Sequence, residues 1–311
     1  MATVKSYFSL VKFSHTIFAM PFAMIGFALG VCDFPFNTRH QWSLNKTIGI
    51  DKQMHLQYFQ SSDLWIRFLL VLLCMISARS AAMAFNRYLD RSFDAKNPRT
   101  AIREIPKGII SANSALAFVI ICCVVFIAAT YFINPICFYL SPVALFVVLF
   151  YSYTKRFTPL CHLVLGLGLA LAPIGAYLAV TGRFDLLPLL FSFAVIFWVS
   201  GFDVIYALQD VDFDQSQKLY SIPSVLGKAK ALHVSELLHV LSAACVIYAG
   251  FYGHFHWLYW TGIGVFTGML VYQHSLVKPN DLSRVNIAFM TANGIASVVF
   301  GVLVILDIML V

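Results

Sequence analysis

Charged residues are scarce in this chain. Asp, Glu, Lys and Arg make up only 11% of its 311 residues, whereas 60% are hydrophobic and the mean hydropathy is +0.81. Soluble domains are typically about a quarter charged. A single soluble core of this size could not bury so many apolar side chains, so the composition excludes a soluble globular protein and predicts a polytopic membrane protein.

A cysteine pattern and an internal repeat are also lacking. The seven cysteines lie in or at the edges of apolar runs, with neither Cys-x-x-Cys spacing nor a disulfide pattern. We interpret them as small core residues. No fixed-period repeat or low-complexity tract divides the chain, so residues 1–311 are predicted to form a single integral membrane domain. Residues 32–63 form a long, polar first loop within it, too short for a domain and without an assigned function.

What the chain does contain is a series of apolar runs, each close to the length of about 20 residues that a transmembrane helix needs. The runs cover residues 13–31, 64–85, 113–133, 135–153, 160–180, 186–206, 229–251, 255–276 and 286–310. The first run lacks a small-residue cleavage site, so it is predicted to span the membrane and not to be a signal peptide. The fold class predicted is an all-α bundle of about nine transmembrane helices. A count of eight stays open because only the Asn134-Pro135 turn signal separates the third run from the fourth, and because the seventh run carries Glu236 and His239 near its start.

The basic residues predict the orientation in the membrane. Together with the N-terminus, the loops after spans two, four, six and eight hold most of the Lys and Arg, whereas the loop after span five has only Arg183. The first loop, with its four basic residues, breaks this pattern, but long loops carry less weight. We therefore predict that the N-terminus and the even-numbered loops face the cytoplasm, which is the inner face of the cell membrane if the protein is bacterial. The net charge of +7 is then a feature of topology and does not indicate a nucleic-acid partner.

Two acidic motifs end the second and sixth spans. The first contains Asn86, Asp90 and Asp94, and the second contains Asp203, Asp210 and Asp214. A spacing of four places Asn86, Asp90 and Asp94 on one face of a helix, and it does the same for Asp210 and Asp214. By the topology above, both motifs lie on the cytoplasmic side.

Carboxylates on an apolar helix are costly, at about 2.5–3.5 kcal/mol each near the membrane centre and less toward the interface. Several on one stripe would also repel each other, and a divalent cation removes both problems. Mg²⁺ prefers oxygen ligands and is commonly bound by one or two carboxylates together with substrate phosphates. Pairing with neighbouring Arg and Lys at the interface is the alternative, and it would suffice for a single Asp. Two matched stripes on one side favour a site for Mg²⁺ and a diphosphate.

Basic residues on the same side fit a diphosphate. Lys155 and Arg156 lie in the loop after span four, and Arg99 and Arg103 follow the first motif. Cations near metal-bound carboxylates suit a leaving group on which charge builds as a C–O bond breaks. Ordinary positive-inside charge is the alternative explanation for each of them.

At these residues the sequence resembles the UbiA superfamily of intramembrane prenyltransferases. The first motif is similar to that family's Asn/Asp-x-x-x-Asp-x-x-x-Asp, and Arg79 matches a family arginine. The second is similar to Asp-x-x-Tyr-Ala-x-x-Asp-x-x-x-Asp, and residues 151–156 resemble Tyr-Pro-x-x-Lys-Arg with Ser152 in place of proline. The matches in the second motif are Asp203, Tyr206, Ala207, Asp210 and Asp214.

The resemblance implies a helical bundle with a cytoplasmic polar cap, a lateral opening for a prenyl tail, and Mg²⁺-dependent ionisation of a polyprenyl diphosphate. An electron-rich aromatic acceptor would then attack the allylic cation. Metal ligands implied in this way are Asn86, Asp90, Asp94, Asp203, Asp210 and Asp214, of which Asp90, Asp94, Asp210 and Asp214 are assigned as catalytic. Substrate contacts are assigned to Arg79, Asn86, Arg99, Arg103, Lys155, Arg156, Asp203 and Tyr206. Arg79 would hold either the diphosphate or an acceptor carboxylate, and a second-motif acid could take the ring proton.

Within the superfamily, residues 86–111 look most like the 4-hydroxybenzoate polyprenyltransferase group, and in particular a branch (MqnP) linked to menaquinone made through futalosine. Arg87 stands where an Asn-Asp pair usually has its Asp, and Glu104 follows Arg103 where many members have proline. These departures leave the acceptor open among 4-hydroxybenzoate, a futalosine-pathway aromatic and 1,4-dihydroxy-2-naphthoate. Haem, chlorophyll and lipid-ether acceptors also stay open, as do ubiquinone or menaquinone as the quinone made.

Two other classes compete with this interpretation. A transporter also places acids in its spans, but usually near mid-membrane and often with inverted repeats or broken helices. A CDP-alcohol phosphotransferase would carry a single Asp-Gly-x-x-Ala-Arg type motif, which is not found here. The sequence therefore favours a membrane prenyltransferase with a lipid bilayer, a polyprenyl diphosphate and an aromatic acceptor as its partners.

Overall fold

The computed structural model describes residues 4–11, 18–33 and 61–310, and within these ranges the chain is helical, with no β-strand. The short helices are α1 (Val4–Leu10), α4 (Arg91–Asp94), α9 (Val211–Ser216) and α10 (Ile222–Leu226). The longer ones are α2 (Met20–Asp33), α3 (Ser61–Leu89), α5 (Ala112–Ile133), α6 (Pro135–Thr154), α7 (Cys161–Thr181), α8 (Leu186–Ala207), α11 (Lys228–Tyr252), α12 (Trp257–Leu276) and α13 (Asn293–Leu310). A 3₁₀ turn (Leu208–Asp210) follows α8, and a π-helical segment (Ile287–Ala292) leads into α13.

The all-α membrane bundle is confirmed, with nine as an approximate count. In the described ranges seven helices are long and apolar enough to cross a bilayer. The first predicted span coincides with the shorter apolar helix α2, and the eighth with α12, which has 20 residues. Residues 13–17, and 34–60 of the predicted first loop, lie outside the described residues.

Asn134 explains why α5 and α6 are separate helices. It is extended, at φ −170° and ψ 164°, and its side chain accepts a hydrogen bond from the Cys137 amide at 2.8 Å, while Pro135 opens α6. The same side chain donates to the carbonyl of Leu178 on α7 at 2.8 Å. One residue therefore ends α5, caps α6 and joins both to α7, as expected for an Asn-Pro helix start.

Helix α8 lies at the centre of the bundle and packs most extensively on α7 and α11. Its Trp198 is fully buried and donates its indole N–H to Oδ1 of Asn293 at 2.9 Å. Asn293 in turn donates to the carbonyls of Ala288 and Phe289 at 3.2 and 3.0 Å. The asparagine thus satisfies carbonyl groups beside the π-helical segment and ties α13 to the central helix.

Small residues let the helices beneath the acidic motifs approach closely. At Gly166 of α7 an added Cβ would lie 2.5 Å from the carbonyl oxygen of Ile196 and 2.6 Å from Oγ of Ser200, both on α8. No larger side chain fits there without moving one of the two backbones. This close crossing brings the start of α7 against the end of α8, where the second acidic motif lies.

The sequence predicted that the second motif lies on one continuous helix, and this prediction is wrong. Helix α8 ends at Ala207, Asp210 closes the 3₁₀ turn, and Asp214 lies on the separate helix α9. A 3₁₀ turn has three residues per turn and not 3.6, so it rotates the side chains that follow it relative to an uninterrupted α-helix. Asp203, Asp210 and Asp214 therefore point to different partners. In the first motif the i to i+4 backbone bonds continue through Asp90 and Asp94, at 2.9 and 2.8 Å.

Candidate active site

Each acid of the first motif contacts a basic side chain. Oδ1 of Asp90 lies 2.9 Å from Nη2 of Arg156, and Oδ2 accepts from the amide of Asn86 at 3.2 Å. Both carboxylate oxygens of Asp94 accept from Nη1 of Arg103, at 2.8 and 2.9 Å. Arg156 comes from the loop after α6 and Arg103 from the loop after α4, so two different loops close over this motif.

The second motif is paired in the same way. Arg99 donates Nε to Oδ1 of Asp210 at 3.1 Å, a second nitrogen to Oδ2, and Nη1 to the Tyr206 hydroxyl at 2.9 Å. Asp214 is fully buried, and its Oδ1 lies 2.8 Å from Nζ of Lys155. The other Asp214 oxygen accepts from Oγ of Ser221 at 3.0 Å. A two-pronged arginine contact of this kind fixes the orientation of the carboxylate as well as its charge.

Asp203 has a partner that the sequence analysis missed. Nδ1 of His162, at the start of α7, lies 2.7 Å from Oδ2 of Asp203. The Ile222 amide donates to Nε2 of the same ring at 3.3 Å, so that nitrogen carries no proton and the proton sits on Nδ1. His162 therefore orients the Asp203 carboxylate through Nδ1. No motif marks His162, and only the close crossing of α7 and α8 places it there.

The five carboxylates of the two motifs thus have five different basic partners. The pairs are Asp90 with Arg156, Asp94 with Arg103, Asp203 with His162, Asp210 with Arg99 and Asp214 with Lys155. Lys155 and Arg156 are neighbours in sequence, yet each contacts a different motif. This dipeptide therefore joins the ends of α3 and α9, and the arrangement confirms that both motifs lie at one end of the bundle.

Burial and charge shift the pKa values of Asp90 and Lys155. Burial raises the pKa of the Asp90 carboxyl to about 6; the Arg156 charge opposes this shift and the Asp94 charge adds to it. For Lys155, burial opposes the charged form, but the Asp214 carboxylate outweighs it and raises the pKa of the amine. The site therefore has a lysine held in its charged form and a carboxyl group that a further cation would stabilise as the anion.

The carboxylate and amide oxygens fit Mg²⁺ in their chemistry, although they do not form a complete protein-only cage. Among the described residues, no group of three or more Asp, Glu, His or Cys side chains converges on one point. Mg²⁺ usually keeps water or phosphate ligands and takes only one or two carboxylates from the protein. Oxygen donors spread over two motifs, with basic side chains between them, match that mode of binding.

An apolar cavity of about 360 Å³ extends from this end of the bundle between α3, α6 and α7. Arg79 and Tyr151 line its polar part, and Tyr151 interacts electrostatically with Asp90, Asp203 and Arg79. Along α6 the lining runs from Tyr151 to Cys137, which is about 21 Å at 1.5 Å per residue. The buried Nε of Arg79 has no hydrogen-bond partner among the described residues, so this predicted site residue is not tied to either acidic motif.

Proteins of similar sequence include bacterial 4-hydroxybenzoate octaprenyltransferases. The 4-hydroxybenzoate octaprenyltransferase of Tolumonas auensis is 29% identical over 224 residues, which cover 72% of this chain and 78% of that protein. The 4-hydroxybenzoate octaprenyltransferase of Aeromonas salmonicida is 29% identical over 242 residues, covering 76% and 82%. The similarity therefore extends through the region that carries both acidic motifs.

Solved structures of similar fold include UbiA homologues. The apo structure of a homologue from Aeropyrum pernix aligns with a TM-score of 0.76 and 29% identity over 94% of this chain and 98% of the other. A homologue from Archaeoglobus fulgidus, bound to DMAPP and Mg²⁺, aligns with a TM-score of 0.67 and 18% identity over 98% and 100%. At that identity the second comparison shows the fold alone.

The family profile gives the assignment. The profile of the UbiA prenyltransferase family matches residues 55–295, which include six of the seven helices long enough to cross the membrane and the start of the seventh. The chain is thus an integral membrane protein, and it belongs to the UbiA prenyltransferase family.

Proposed function

We propose that this enzyme transfers a polyprenyl group from its diphosphate to an aromatic acceptor in a Mg²⁺-dependent reaction of quinone biosynthesis. The observation that carries the proposal is the one-to-one pairing of five acids with five bases, next to the Tyr151 end of an apolar cavity. When substrate binds, the acids would bind the metal ions and the bases would bind the phosphate groups. The family assignment favours this enzyme over the transporter alternative.

The metal would be held by oxygen atoms of the two motifs, from Asn86, Asp90, Asp94, Asp203, Asp210 and Asp214. Bound Mg²⁺ would neutralise charge on the diphosphate as the allylic C–O bond breaks. The archaeal homologues bound to DMAPP or GPP together with Mg²⁺ support this role by analogy of fold.

The basic side chains would stabilise the leaving group. Lys155, Arg156, Arg99 and Arg103 lie around the motifs, and negative charge grows on the diphosphate oxygens in the transition state. The ring carbon of the acceptor then forms the new C–C bond with the allylic carbon and loses its proton. Asp203, whose carboxylate His162 orients, would accept that proton if it does not bind the metal.

The cavity would hold the prenyl chain and part of the acceptor. Its lining is almost wholly apolar, which suits a hydrocarbon tail, and Arg79 and Tyr151 are the polar side chains on the side of the motifs. The unpartnered guanidinium nitrogen of Arg79 supports a contact with an acceptor carboxylate, such as that of 4-hydroxybenzoate. We also propose that this end of the bundle faces the cytoplasm, because the positively charged loops lie there.

Prenyl transfer by the purified protein in liposomes tests the proposal. The assay would use Mg²⁺, a labelled polyprenyl diphosphate and three acceptors: 4-hydroxybenzoate, 1,4-dihydroxy-2-naphthoate and a futalosine-pathway aromatic acid. A labelled product that requires Mg²⁺ and is lost in Asp90→Ala and Asp210→Ala would support the reaction and name the acceptor. Folded protein that binds the diphosphate but prenylates none of them would contradict the acceptor class proposed here.

Arg79→Gln distinguishes the two proposed roles of Arg79. If the guanidinium binds the acceptor carboxylate, the KM for an acidic acceptor rises while the KM for the prenyl diphosphate changes little. A rise in the KM for the diphosphate alone would assign Arg79 to the diphosphate. An acceptor without a carboxylate serves as the matched control because Arg79→Gln would then leave its KM unchanged.

A further inference from the structure

Arg87 and Glu104, the two departures of the first-motif region from the family pattern, contact each other. Nη1 of Arg87 is paired with Oε2 of Glu104, and the two side chains are only 4% and 12% exposed. Arg87 lies on α3 beside Asn86, and Glu104 lies on the loop of residues 95–111. A buried arginine and a buried glutamate that pair across 17 positions are mutually dependent, because either one alone would be an uncompensated buried charge.

The pair is one of several contacts that hold this loop against the first-motif region. Arg103, adjacent to Glu104, pairs with Asp94, so two neighbouring loop residues form ion pairs of opposite sense with the first-motif region. Glu104 also accepts from Oγ of Ser9 on α1, and its carbonyl accepts from the Ile109 amide at 2.9 Å. The loop is therefore fixed at Glu104 through both its side chain and its backbone.

The position of this loop matters because it carries side chains to both motifs. Arg103 reaches Asp94 of the first motif, and Arg99 reaches Asp210 of the second. Arg87 itself contacts no carboxylate of either motif in the structure. Its effect on the site would therefore pass through Glu104 and the loop.

We propose that Arg87 and Glu104 are a positioning pair that holds the loop of residues 95–111 in the place where Arg99 and Arg103 bind the diphosphate. This inference rests on the proposed function, since it assigns the loop arginines to the diphosphate of that reaction. The pair touches no reacting atom, so its loss should weaken diphosphate binding more than the chemical step. Buried Ile105 and Ile110 also anchor the loop, and they would keep it attached when the ion pair is removed.

The test compares single substitutions with a charge exchange. Arg87→Gln and Glu104→Gln each break the pair, whereas the double variant Arg87→Glu/Glu104→Arg restores it in the opposite sense. Arg91→Gln is the matched control, since Arg91 is exposed, lies in the same region and donates only to the Tyr88 carbonyl. For each variant we would measure Mg²⁺-dependent binding of inorganic diphosphate, then KM and kcat for prenyl transfer, in protein shown to be folded by its thermal unfolding midpoint.

We expect each single substitution to weaken diphosphate binding and raise the KM for the prenyl diphosphate by about 10-fold to 100-fold, as for other supporting contacts around a metal site. The kcat should fall much less, and the exchange should recover most of the loss. The inference would be overturned if the single variants bind diphosphate as the wild type does. It would also be overturned if the charge-exchange variant recovers thermal stability without recovering diphosphate binding. The variants could show this pattern of diphosphate binding while the wild type transfers no prenyl group. In that case the positioning pair stands and the proposed function fails.

Discussion

Nζ of Lys155 lies 2.8 Å from Oδ1 of Asp214, a carboxylate that is fully buried. The next residue, Arg156, contacts Asp90 of the other motif at 2.9 Å. The backbone supports the same arrangement, since the Tyr220 amide donates to the Lys155 carbonyl at 2.7 Å. The adjacent residues Lys155 and Arg156 therefore bridge the two motifs.

Lys155→Met should impair both stability and diphosphate binding. The variant leaves Asp214 buried without its cation, which costs about 3 kcal/mol in the free energy of unfolding when one partner of a buried pair is removed. The KM for the prenyl diphosphate should also rise by about tenfold or more. Thermal unfolding in detergent and steady-state kinetics would measure the two effects separately.

The double variant Lys155→Met/Asp214→Asn is the control for that experiment. It removes the buried negative charge together with its partner, so part of the lost stability should return. Activity should stay low, because both a proposed metal ligand and a proposed diphosphate contact are gone. Recovery of activity along with stability would show that Lys155 acts only on folding.

Asp210→Asn should reduce transfer strongly, whereas Asp212→Asn should not. The two residues are two positions apart, but Asp210 is held by Arg99 and the Asp212 side chain is exposed. We expect kcat/KM to fall about a hundredfold or more for the first variant, with more Mg²⁺ needed for half-maximal rate. For the second we expect a change within about twofold, as at other surface sites. Equal effects in a Mg²⁺ titration of both variants would argue against a metal site at Asp210.

His162 should support Asp203 in catalysis through its Nδ1–H donor. His162→Leu removes the donor and should lower kcat about tenfold or more, with a smaller effect on the KM for the diphosphate. His162→Asn places an amide near the position of Nδ1, so it should recover part of kcat. His233→Leu, at an exposed histidine of α11, is the control. A kcat that is unchanged in folded His162→Leu would remove His162 from the reaction.

The chain length accepted should depend on the free volume of the cavity. Gly175 lines the cavity, and a Cβ built there meets no atom within 4 Å. Gly175→Phe should therefore fill the cavity with little strain and raise the KM for long prenyl diphosphates more than for geranyl diphosphate. Gly264→Phe on α12 is the matched control. A Cβ at Gly264 also meets no atom within 4 Å, but this residue is exposed and does not line the cavity. Competition assays with diphosphates of two lengths would measure the change in preference, and no change would place the tail elsewhere.

Much of this architecture could be predicted from the sequence because a bilayer leaves few options for the backbone. Apolar runs of spanning length must be helical in lipid, where every peptide group has to be satisfied within its own segment. The break between α5 and α6 at Asn134-Pro135 could also be predicted, because an asparagine cap followed by a proline is a local signal for the start of a helix. The acidic motifs also stood out in the sequence, since carboxylates are rare in so apolar a chain.

What the sequence could not determine is which side chains meet. His162 carries no motif and is joined to Asp203 only because α7 and α8 cross closely at Gly166. Arg87 and Glu104 looked like separate departures, and only the folded loop makes them a pair. The membrane helices and the family motifs could thus be predicted from the sequence, because both follow from local hydrophobicity and spacing, whereas the break within the second motif could not. The partner of each acid becomes visible only in the folded chain, because ion pairs between distant segments depend on how the helices cross and the loops fold back.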